Sequence, residues 1–104
     1  MSGKKEYYIG LGDRCWKLLP IYEGIDTKGK LIFNEAEAYE NFNKNLSCLI
    51  IETRGAMANF GTNSYCEQVL NLLSGMHESE HLDHVTVKSV ATRCCNLCQK
   101  ASEL

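Results

Sequence analysis

With 104 residues, 44% hydrophobic and 23% charged, the chain has the size and composition of one folded domain. A net charge of −2, with cations scattered apart from "KK" at 4–5 and "KGK" at 28–30, excludes the clustered basic face of a general nucleic-acid binder. No run of about 18 apolar residues offers a membrane span, and the opening "MSGKKEYYIGLGDRCW" lacks the apolar centre of a secretory signal. The six cysteines are therefore expected as thiols in a reducing, cytoplasmic setting.

The first third is punctuated by Gly10, Gly12, Gly24 and Gly29. "EYYIGL" carries strand-forming residues, and "IYEGIDTKGKLIF" reads as two extended runs around a turn at "DTKG", a short hairpin. Between them "DRCWKLLPIY" is ambiguous. Asp13 could cap a helix there, which Pro20 would kink or end.

The remainder is periodic. Asn34 followed by Glu37 has the spacing of a helix cap, and Tyr39, Phe42, Leu46, Leu49 and Ile50 recur at helical intervals. Arg54-Gly55 reads as the stop, which makes "GAMANFGTN" (55–63) a connector. The run "CLII" at 48–51 suits one long helix better than a buried strand. Ser64 and Glu67 form a second capping box, opening a helix whose core face holds Cys66, Val69, Leu70, Leu73 and Met76. The last helix is expected from about Asp83 to Lys100, with Val87, Val90, Ala91, Cys94, Leu97, Cys98 and Ala101 as its apolar stripe. The fold class that follows is a single, mainly α domain over 1–104: a small bundle of three to four helices with a short N-terminal hairpin at one side. The alternative is an α+β layer built from "YYIGL", "KLIF", "SCLII" and "HVTVKSV".

The densest chemistry lies in "HESEHLDHVTVKSVATRCCNLCQK". His77, His81 and His84 fall at i, i+4, i+7, and Cys95 and Cys98 form a C-x-x-C; these five are the metal-ligand candidates. They do not make one site. On a single helix His84 and Cys95 are about 16 Å apart at 1.5 Å per residue. Cys94 and Cys98 sit on the core stripe, where cysteine acts as a small hydrophobe. A redox C-x-x-C places its first thiol at a helix N-terminus. This one lies toward a C-terminus, where the dipole opposes thiolate. The histidine stretch reads as a solvated connector. "GLGD" at 10–13 reads as a tight turn, since Cys15 stands where a dinucleotide fingerprint needs a third glycine. A nucleophilic pairing of Cys66 with one of the histidines has no support from spacing.

Elimination leaves a non-enzymatic protein–protein interaction or regulatory module, adaptor-like or inhibitor-like. It needs no metal and no cofactor, binds neither nucleic acid nor membrane, and has a protein partner in a second copy of itself. Ile50 and Ile51 are expected at that contact, because three consecutive apolar residues span about 200° of a helix. Met57 and Phe60 are further anchor candidates, from their place in the 55–63 connector. The rival readings are a zinc-binding structural protein using Cys95 and Cys98, and a small enzyme with a Cys/His site.

Overall fold

The computed structural model describes residues 3–25, 28–32, 34–79 and 82–104. Four main helices and one short one follow in order: α1 (Gly3–Trp16), α2 (Leu18–Glu23), α3 (Glu35–Phe60), α4 (Ser64–Glu78) and α5 (His84–Ser102). This is the expected small, mainly helical bundle. Its longest dimension, 41 Å, matches the roughly 39 Å that 26 residues of α3 span at 1.5 Å each. α1 lies along α5 in the most extensive pairing, α4 packs on α3 and α5, and α2 bridges α3 and α5.

Spacing accounts for the core. Ala38, Phe42, Leu46, Leu49, Thr53 and Ala56 turn inward from α3 at intervals of three or four, as do Cys66, Val69, Leu73 and Met76 from α4 and Val87, Ala91, Cys94, Cys98 and Ala101 from α5. Thr53, the polar member, donates its hydroxyl to the Leu49 carbonyl at 2.7 Å, which satisfies that buried donor.

Several local expectations are corrected. "EYYIGL" is not a strand but part of α1, and "GLGD" is not a turn. Tyr8, Leu11 and Cys15 share one helical face, and burying that face on α5 overrides the β preference of Tyr7, Tyr8 and Ile9. Gly12 allows α1 to approach α5 closely there. A Cβ at this position would lie 3.1 Å from Cys98 Cβ and 3.3 Å from the Cys95 carbonyl oxygen. Asp13 is interior to α1 rather than a cap, and Pro20 falls in the first turn of α2, where a proline costs no helical hydrogen bond. Of the expected hairpin only an isolated antiparallel bridge, Ile25 to Leu31, is present, and no strand occurs among the described residues.

The caps are a mixed result. The Glu37 N–H donates to Asn34 Oδ1 at 2.9 Å, and the Thr86 N–H to Asp83 Oδ1 at 2.7 Å, so α3 and α5 begin where the spacing placed them. α4 is capped one residue earlier than expected: Asn63 Oδ1 accepts from the Cys66 N–H at 2.9 Å, and Ser64 is the first helical residue. α3 does not stop at Arg54-Gly55. It continues through Ala56, which keeps the buried stripe, and ends at Gly61, whose φ of 96° suits glycine. Met57 and Phe60 are thereby helical residues, not part of a connector.

Candidate functional site

The Cys15 thiol of α1 lies against the Cys94 and Cys98 thiols of α5. Cys15, Cys94 and Cys98 are all buried, while Cys95 is half-buried at the seam and Cys48 is exposed on α3. Contact with the Cys94 thiol and burial push the Cys15 thiol up, and contact with Cys15 followed by burial does the same to Cys98. Burial first, then the nearby Asp13 carboxylate, raises Cys95. A thiol must lose its proton to act as nucleophile or metal ligand, so this environment disfavours both roles for the cluster. Close by, the Tyr8 hydroxyl is buried beside Cys66 and Asn63 without a well-formed hydrogen bond; burial raises its pKa and keeps it protonated.

The histidines do not converge. His77, exposed in the last turn of α4, has Nε2 3.2 Å from Ser47 Oγ on α3. His84, in the first turn of α5, has Nδ1 2.9 Å from Glu23 Oε1 on α2. His81 lies outside the described residues. Among those described, no three of His, Cys, Asp and Glu are grouped as a metal ion requires, Cys95 and Cys98 included. Nor is any described helix long and apolar enough to cross a membrane.

The interaction candidates separate into two kinds. Ile50 is 9% exposed and belongs to the core, whereas Ile51 is 66% exposed at the middle of α3. Beside Ile51 runs a groove of about 270 Å³ between α3 and α4, bordered by Ser47, Ile50, Arg54, Ser74, His77 and Glu78. Met57 and Phe60 are half-buried against the core, with the Phe60 ring centroid 5.6 Å from that of Tyr7 and 5.8 Å from that of Tyr8. α1 is also tied to α3 by a hydrogen bond from the Tyr7 hydroxyl to the Glu52 carbonyl, 3.1 Å, and, from its last turn, by an Arg14–Glu52 ion pair.

Sequence reasoning missed the exposure of Tyr39 and of Leu31, which leave 66% and 72% of their surface open. Helical spacing groups Tyr39 with Phe42, Leu46, Leu49 and Ile50, yet it faces outward. The signal that corrects it is Ala38, four residues before Phe42 and eight before Leu46, which takes the inward position. Comparison of the chain with protein-family models, with curated proteins and with solved structures returns no match in any of the three.

Proposed function

We propose that this chain is a non-enzymatic protein-interaction module that pairs with a second copy of itself through the outer face of α3. One observation carries the reading: Ile51, a large apolar side chain left mostly open in the middle of the longest helix, beside a groove edged by Ile50. A closed two-fold pairing is the commonest way for identical chains to cover such a residue. Ile51 sits at its centre. Ile50 contributes only the edge that intrachain packing leaves open, while Phe60, about 180° around α3 from Ile51 and packed on Tyr7 and Tyr8, lies off this contact. Six free thiols suit a cytoplasmic setting. Sedimentation equilibrium at tens of micromolar tests the pairing. The expected mass is twice the 11.7 kDa of one chain, and a clean single-chain mass overturns it.

A further inference from the structure

A second surface, on the other side of the cap of α3, has the properties of a docking site. Tyr22, Leu31, Ala38 and Tyr39 line a hollow of about 440 Å³ between α2, the end of the connector and the first turns of α3. The hollow continues past Tyr39 into a wider, open depression of about 700 Å³ bordered by Ala36 and Glu40. Leu31 and Tyr39 leave most of their surface open beside this hollow. Among the described residues, the charged ones lining the two hollows are Glu35, Glu40 and Glu23, the last of which also contacts His84.

The α2 side of the hollow is tied down. The Tyr22 hydroxyl donates to the Leu82 carbonyl at 3.0 Å, and its ring stands edge-on to Phe42 with centroids 5.3 Å apart. Glu23 is held by His84, and the Ile32 N–H donates to the Gly24 carbonyl at 2.9 Å. A preformed surface binds without a large ordering cost.

We infer that this trough docks a cationic segment of a different protein, an amphipathic helix whose aliphatic side chains sit on Tyr22, Leu31 and Tyr39 while its lysines or arginines face the three carboxylates. The inference rests on reading the chain as an interaction module, but it uses a different face from Ile51. The probe is a fluorescent synthetic peptide of about 18 residues, long enough to form a helix, with leucines at helical spacing and lysines elsewhere. Its binding to the full chain is followed by anisotropy. Saturable binding that weakens with added salt is expected, with a loss of about tenfold or more for Glu40→Lys and for Tyr39→Ala. The same peptide with glutamate in place of lysine is expected not to bind, and Ile51→Glu is expected to leave binding unchanged. Glu40→Lys lies beyond the first turn of α3 and spares its cap, and circular dichroism checks the fold of each variant. Absence of binding to the native chain, or equal binding to every variant, overturns the inference. If Ile51→Glu alone abolishes binding, the peptide sits on the α3–α4 groove and the trough is likewise rejected. If Glu40→Lys instead lowers the sedimentation mass of the chain alone, the occupant is a second copy. The pairing proposed through Ile51 is read from that mass, so the two readings fail separately.

Discussion

Gly10 and Gly12 lie two residues apart in α1 and differ in what surrounds them. No atom approaches within 4 Å of a Cβ built at Gly10, whereas one at Gly12 meets Cys98 Cβ at 3.1 Å, the Cys95 carbonyl oxygen at 3.3 Å and Cys95 Cα at 3.6 Å. Replacing glycine by alanine inside a helix gains about 1 kcal/mol when nothing else changes. Gly10→Ala is therefore expected to stabilise by about that amount. At Gly12 the same gain is opposed by overpacking. Carbon atoms pack best at about 3.5–4.0 Å, two of the three contacts are backbone of α5, and relief requires α1 to move away from its principal partner. Such overpacking costs about 1–3 kcal/mol. Gly12→Ala should come out between neutral and about 2 kcal/mol less stable than the native chain, and clearly below Gly10→Ala. For a domain of this size 1 kcal/mol corresponds to roughly 4–8 °C in Tm. Urea unfolding followed by far-UV circular dichroism measures both variants, at one fixed chain concentration because self-association would add to apparent stability. Equal stabilisation by the two substitutions would refute the close approach of α1 to α5 at the thiol cluster.

The cap of α4 gives a paired test by urea unfolding: Asn63→Ala should cost about 0.5–2 kcal/mol while Ser64→Ala stays within about 0.5, and the reverse order would return the cap to Ser64. Thiol labelling of the native chain should modify exposed Cys48 first and reach Cys15, Cys94 and Cys98 only on unfolding; rapid modification of those three in folded protein contradicts their burial. Cys94→Ser should destabilise by about 1–3 kcal/mol, since it buries a hydroxyl among thiols, and a neutral result by thermal melting counts against that packing. The Thr86 N–H and hydroxyl, followed by neighbouring His84, hold the Asp83 carboxyl below its ordinary value of 3.8. A depressed folded pKa stabilises above the unfolded value and is lost as the pH falls. The advantage of the native chain over Asp83→Asn, which retains a capping oxygen, should therefore shrink as the pH drops through 3.8. A difference constant with pH would exclude the charge of Asp83 as its source.

The parts of the fold legible in the sequence are those set by local rules. α5 was readable because its cap, its i, i+3, i+4 stripe and its end are all local features, and the inward positions of Cys94 and Cys98 follow from that stripe. In the same way "CLII" is helical because Leu46, Leu49 and Thr53 continue one face. α1 was not legible. Its glycines and aromatics point locally to strand and turn, and the reason for Gly12 is the distant pair Cys95 and Cys98. Asn63 and Ser64 are adjacent cap formers, and the sequence does not say which carbonyl starts the helix. Gly55 resembles a stop, but Ala56 packs in the core and carries the helix past it. The candidate surfaces divide likewise. Ile51 could be found by counting around a helix, whereas the acidic trough depends on how the connector returns Leu31 toward Tyr39.

The central claim, that α3 pairs two copies through Ile51, is tested most directly by sedimentation equilibrium of Ile51→Glu beside the native chain. Ile51 is mostly exposed in a single chain, and glutamate is a good helix former, so the stability of one chain should change little. A charge placed at the centre of an apolar contact cannot be desolvated there without a partner. The native chain is expected near twice 11.7 kDa and the variant at 11.7 kDa with its helical circular dichroism retained. A native chain already at the single-chain mass, or a variant that still pairs, would contradict the claim.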